Sequence, residues 1–142
     1  MAVTSTADAE WKGTIKEGSG HIKLPKGAYN GEFTFASRFE NGKGTTPEEM
    51  IAAGHAACFS MQLSGLLTAD KHPPTSIHTK AHVTIESGAS GITKIVLETT
   101  ATVPGIDNAA FQALAQKARE ICPVTRALAG VKDISLKATL KA

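Results

Sequence analysis

Apolar residues run almost without polar interruption through Gly44–Asp70, where Met50, Ile51, Ala52, Ala53, Ala56, Ala57, Phe59, Met61, Leu63, Leu66 and Leu67 follow one another. The stretch predicts one long helix. Thr46 can cap its first turn, Pro47 suits the first helical position, and Glu49 completes a capping box three residues after the cap. A helix apolar on every side is expected to be buried. Gly54 costs about 1 kcal/mol against alanine inside a helix, so the small residues around it predict close approach by another backbone. His72, Pro73 and Pro74 cannot continue the helix, which is expected to end near Asp70 to Pro74.

Shorter patterns flank this helix. Residues 1–8 are small and polar, with no regular element expected. Trp11–Lys16 and His21–Leu24 read as short strands around a turn at Glu17–Gly20, and Pro25–Gly31 as a turn-rich connection. Glu32–Phe39 alternates Phe33, Phe35 and Ser37 against Thr34, Ala36 and Arg38, which predicts a third strand. Beyond the helix, Ile77–Ser87 and Ile92–Val103 predict two long strands, joined as an antiparallel hairpin through Ser87–Gly91. Asp107 is placed to cap a helix over Asn108–Ile121 with Phe111, Leu114, Ala115, Ala118 and Ile121 on one face. Cys122-Pro123 breaks it and restarts a short helical turn ending at Gly130. Lys132–Lys141 alternates as a last strand. The expectation is an α+β fold with an antiparallel sheet.

A chain of 142 residues fits one domain, taken as 1–142, with a substantial core. The net charge of +2 comes from scattered lysines with no basic block, which argues against nucleic-acid binding. The first residues lack the apolar stretch of a signal peptide. His55 and Gln62 interrupt the most apolar segment, so it does not read as membrane-spanning. A cytoplasmic setting is expected.

Two cysteines are too few for a disulfide scaffold or a cysteine-rich zinc site. They read either as buried inert thiols or as a transient redox pair. Cys122 sits at a helix start, which lowers a thiol pKa, whereas Cys58 lies mid-helix among apolar neighbours, which raises it. A nucleophilic Cys58 therefore needs a cation. Arg38, in a mostly apolar segment, is the candidate, against the alternative of a solvent-facing strand arginine. Glu49 is accounted for by the capping box; Glu48 is left without a structural task. Glu48 and Cys58 stand ten residues apart, about 15 Å along a straight helix. One active centre using both requires two copies of this helix packed antiparallel, hence an obligate dimer. His55 and Cys58, with His78 and His82, form a weaker zinc alternative. Ser60 and Ser64 lack a hydrolase context. No glycine loop suits a phosphate-bearing cofactor.

The segments AEWKGTIKEGSG, FASRFENGKGTTPEEMIAAGHAACFSM, PTSI, ITKI, VPGID and CPVTRAL together resemble the OsmC branch of the OsmC/Ohr peroxidases, across nearly the whole chain. The resemblance implies a thiol-dependent peroxidase for organic hydroperoxides, more weakly for hydrogen peroxide, needing neither metal nor other cofactor. It implies Cys58 as the peroxidatic cysteine, Cys122 as the resolving one, Arg38 as activator of the thiolate and Glu48 as the acid orienting that arginine. It further implies an intertwined homodimer with two buried central helices wrapped by antiparallel sheets, and a dithiol reductant, typically a lipoylated protein. Phe39, Met50, Phe59 and Met61 are expected to line an apolar pocket. A non-catalytic stress or ligand-binding protein on the same fold is the alternative.

Overall fold

The computed structural model describes residues 2–86 and 91–141; the expected hairpin loop lies outside them except for Gly91. The chain divides into two compact units, Met1–Met50 and Ile51–Ala142.

In the first unit, β1 (Asp8–Lys12), β2 (Ser19–Leu24) and β3 (Tyr29–Phe33) form an antiparallel meander in that order. β1 begins at Asp8, earlier than the expected Trp11, and its turn closes before Ser19. The third strand is the larger departure. It ends at Phe33, and Phe35–Phe39 is a short helix, α1. Thr34 decides this. Its hydroxyl accepts from the Ser37 N–H at 3.0 Å, while its own N–H donates to Ser37 Oγ at 2.9 Å. This reciprocal box starts a helix where the alternation of Phe33 and Phe35 pointed to a strand. Arg38 therefore projects from a helix. The buried Ser37 hydroxyl also reaches the Thr45 carbonyl at 2.9 Å, and Thr45 N–H donates to the Glu32 carbonyl at 2.9 Å. The link between these points turns at Gly44, whose φ is +112° and where a Cβ would lie 2.7 Å from the Glu32 oxygen. Only glycine fits there.

Helix α2 (Pro47–Ala69) matches the predicted span closely. The Glu49 N–H donates to Thr46 Oγ1 at 2.9 Å, as a cap should. The Glu49 carboxylate does not close the box on Thr46; it accepts from the Thr45 hydroxyl at 2.6 Å.

The second unit contains β4 (Ser76–Glu86), β5 (Gly91–Thr102), α3 (Asn108–Ile121), α4 (Pro123–Ala127) and β6 (Asp133–Lys141). Asp107 caps α3 through the Ala110 N–H at 2.8 Å. The strands lie in the order β4-β5-β6. β4 and β5 pair antiparallel, but β6 runs parallel to β5, so this sheet is mixed where an antiparallel one was expected. The intervening α3 and α4 account for it: a helical crossover returns the chain to the end from which β5 started. The α3 side pins β6 in place, with Gln112 donating to the Ala138 carbonyl at 2.8 Å and Arg119 to Ile134 at 3.1 Å.

The core joins one face of α2 (Phe59, Leu63, Leu67) to the inner face of β5 (Leu97, Ala101) and to Phe111, Ala115 and Ala118 of α3. The opposite side of α2 is open. Met61 is 80% exposed there, and Gly54 and Gly65 have nothing near the position a Cβ would take. Within the second unit, the long apolar helix is thus buried on one side only.

The Thr34 cap is testable alone. Thr34→Ala should cost about 1 kcal/mol in urea denaturation; an unchanged midpoint would show that α1 does not rely on it.

Candidate functional site

Two groups of candidate functional side chains take shape, one in each unit. In the first, Arg38 from α1 meets Glu48 from the first turn of α2. Its Nε donates to Glu48 Oε1 at 3.0 Å and its Nη2 to Oε2 at 2.8 Å. This two-point fork fixes the guanidinium plane as well as its position. Glu48 is buried, while the Arg38 side chain is about a third exposed. The hydrogen bond to Glu48, reinforced by its charge, raises the Arg38 pKa above the ordinary arginine value against the opposing effect of burial. The charge is permanent. Arg38 also lies over the Phe39 ring, 5.2 Å from its centroid.

Beside the fork lies a cleft of about 440 Å³, lined mainly by Trp11, Ile15, Phe33, Phe35 and Phe39, with Arg38 as its charged member. Of the four side chains expected to line a pocket, Phe39 does so here. Met50 is half-buried at the start of α2. Met61 stands on the open side of that helix. Phe59 requires correction: it is 0% exposed within the core of the second unit, and packing is its task. Trp11, Ile15, Phe33 and Phe35 were missed. A signal existed, since three of the five phenylalanines fall within residues 33–39.

In the second unit, Cys58 of α2 meets Cys122, the residue between α3 and α4. Both are free thiols, and Cys122 Sγ donates to Cys58 Sγ at 2.9 Å. Cys122 is fully buried and Cys58 half-buried. Burial pushes the Cys58 thiol above its ordinary pKa, and the Cys122 thiol pushes it further; a hydrogen bond from the Val124 backbone opposes both. These surroundings favour the thiol of Cys58 over its thiolate.

One turn from this pair, His55 is fully buried, with Nε2 2.7 Å from Thr125 Oγ1. The other histidines of the zinc alternative face elsewhere: His82 lies 3.4 Å from Glu98 at the surface. Among the described residues, no three His, Cys, Asp or Glu side chains gather as metal ligands. Ser60 donates to Thr79 at 2.7 Å, a packing link to the sheet.

Residues 40–137 match the family model described as OsmC-like protein. The chain is 43% identical to the peroxiredoxin OsmC of Escherichia coli strain K12, over 99% of both chains. It is 38% identical to an organic hydroperoxide resistance protein of Xanthomonas axonopodis pv. citri, over 67% of each. Among solved structures, an OsmC-like protein from Mycoplasma pneumoniae superimposes with a TM-score of 0.76 over 100% of both chains, at 17% identity. An organic hydroperoxide resistance protein from Elizabethkingia anophelis gives 0.67 at 27% identity, over 99% of both.

Burial pushes the His55 pKa below the ordinary histidine value. The folded state thus prefers the neutral ring. This contribution to stability is complete above about pH 6.5 and is lost as the pH falls through the lowered folded value. Urea stability measured downward from neutral pH should fall less steeply in His55→Gln than in the native chain; parallel slopes would show that His55 contributes nothing.

Proposed function

The chain belongs to the family of OsmC-like proteins, and from that footing we propose that Cys58, Cys122, Arg38 and Glu48 carry out its reaction. The protein is a thiol-dependent peroxidase that reduces organic hydroperoxides to alcohols in stress defence. The observation that carries the assignment is the pair of free thiols, Cys58 and Cys122, 2.9 Å apart with no other cysteine in the chain.

Cys58 as thiolate attacks the distal oxygen of the hydroperoxide. The O–O bond breaks, the alkoxide takes up a proton and leaves as alcohol, and Cys58 becomes a sulfenic acid. The Cys122 sulfur then displaces that oxygen: an S–S bond forms, the S–O bond breaks and water leaves. A dithiol reduces the disulfide, and a lipoylated protein suits that task. A chain with only two cysteines has no disulfide scaffold, and a transient catalytic disulfide suits a reducing compartment, which favours a cytoplasmic setting.

The first step requires a thiolate, and an ordinary cysteine is ionised to only a few per cent at neutral pH. Cys58 is worse placed, because its surroundings favour the thiol. Arg38 is the cation assigned to it. On a continuous helix α2 the Arg38 partner Glu48 and Cys58 are ten residues apart, about 15 Å in rise, so a homodimer with α2 packed against a second α2 supplies Arg38 from the partner subunit. The open, glycine-bearing side of α2 supports this reading, since a second helix can approach closely there. A cleft with aromatic walls and one guanidinium suits a hydroperoxide with an apolar substituent.

Stopped-flow oxidation with cumene hydroperoxide tests the assignment. Cys58→Ser should abolish turnover, and Arg38→Ala should slow thiol oxidation by about a hundredfold or more through loss of thiolate. Refolding those two variants together should restore activity, because each mixed dimer has one site with both groups. No recovery from properly dimeric mixtures would place Arg38 and Cys58 in the same chain, and full activity in Cys58→Ser would remove the peroxidase reading.

A further inference from the structure

Besides the thiol of Cys122, two titratable side chains are buried among the described residues. Glu48 belongs to the arginine fork; His55, 0% exposed, has no part in the proposed peroxidase steps. Its place in the chain is specific. His55 is three residues before Cys58 on α2, and Thr125 is three residues after Cys122 on α4. The Nε2–Oγ1 contact at 2.7 Å and the thiol contact at 2.9 Å therefore join the same two segments, one helical turn apart on each side.

We propose that His55 and Thr125 form a clamp that holds α4 against α2 and so keeps Cys122 in reach of Cys58 for the disulfide step. The proposal rests on the peroxidase reading and adds a positioning pair to it.

Three observations bear on this. First, α4 has five residues, and its N-terminus has no side-chain cap. A helix this short has no stability of its own, so its position depends on what it touches. Second, Thr125 is the one buried residue of α4, and its hydroxyl meets His55. Third, His55 Nδ1 is buried without a hydrogen-bond partner. An orphaned buried nitrogen costs about 1–3 kcal/mol, and an apolar side chain of similar size would avoid it. Packing alone is thus a poor reason for histidine here, whereas the Nε2 link requires a polar side chain of this reach.

The consequence is kinetic competition. The Cys58 sulfenic acid either condenses with the Cys122 thiol, losing water, or is oxidised by a second hydroperoxide molecule to the sulfinic acid with release of alcohol. Holding Cys122 nearby raises its effective concentration at Cys58. Loosening α4 lowers it and shifts the partition towards the sulfinic acid.

The experiment treats the reduced protein with rising cumene hydroperoxide and measures disulfide against Cys58 sulfinic acid by mass spectrometry. Thr125→Val and His55→Leu remove the link from either side. Thr125→Ser keeps the hydroxyl, and His55→Gln places an amide nitrogen near the Nε2 position. The ratio of disulfide to sulfinic acid should fall roughly three- to tenfold in each apolar variant, and return to within about twofold of native in the two conservative ones. A second readout is independent of peroxide: equilibration with reduced and oxidised glutathione should show the disulfide weakened by a similar factor in the apolar variants. Thermal melts identify which variants are folded, and the apolar variants stand on different helices, so one folded variant suffices. A folded apolar variant with native partition and native glutathione equilibrium overturns the clamp. A native protein that consumes no hydroperoxide overturns the peroxidase reading instead, and the glutathione equilibrium then decides the clamp alone. If both apolar variants unfold, the conservative ones decide: native partition supports the clamp, and a tenfold loss in both despite native melts overturns it.

Discussion

The fork between Arg38 and Glu48 is the interaction around which the first unit is arranged between Phe33 and Met50, and most local features there serve to make it. Thr34 and Ser37 start α1 in the register that turns Arg38 towards Glu48. Ser37 and Glu32 then hold Thr45, and the positive φ at Gly44 brings the chain round so that α2 begins beside α1. Pro47 at the first helical position places Glu48 in the next, among N–H groups that favour a carboxylate. A buried carboxylate needs partners, and a partly exposed guanidinium supplies them while leaving one edge free for another anion. That free edge is what a thiolate would use. Lysine could balance the charge, but it could not hold two carboxylate oxygens in one plane.

The thiols present the opposite electrostatic problem. Cys58 meets Cys122 where burial favours the neutral form of Cys58, so proximity alone leaves it a poor nucleophile. This is a useful resting condition. A cysteine that became a good nucleophile only beside a fixed arginine, as proposed for Cys58, would have its reactivity confined to the assembled site. The second step has different needs. Condensation of a sulfenic acid with a thiol depends mainly on geometry, which is why a neutral hydrogen bond such as His55–Thr125 can matter there while contributing nothing to ionisation.

How much of this was legible in the sequence follows from which signals are local. The spans of α2, α3, β4 and β5 could be read because caps, breakers and periodicity all lie within the element. Glu48 was singled out because Glu49 was assigned to a capping box, although the Glu49 carboxylate bonds to Thr45 instead. α1 was misread because Phe33 and Phe35 alternate as in a strand, and a two-residue capping box outweighed that pattern. The direction of β6 was not legible, since strict alternation describes faces and says nothing of polarity. Phe59 was misplaced for a related reason. On a helix that is apolar all round, no polar stripe marks the outside, so nothing told Phe59, which is buried, from Met61, which is exposed.

The ambiguity of α2 is itself informative. An ordinary surface helix has one apolar face because it has one neighbour. On α2, His55, Phe59, Leu63 and Leu67 meet the core at intervals of four, yet Gly54, Ala57, Met61 and Gly65 on the open side are no more polar. A sequence that leaves both faces apolar is written for two neighbours. One of them is the core of its own chain. A second α2, run antiparallel, would cover the other and carry its own Arg38–Glu48 fork towards the Cys58 end of the first. The same packing would bury the apolar surface and supply the missing charge, so assembly and reactivity would have one cause.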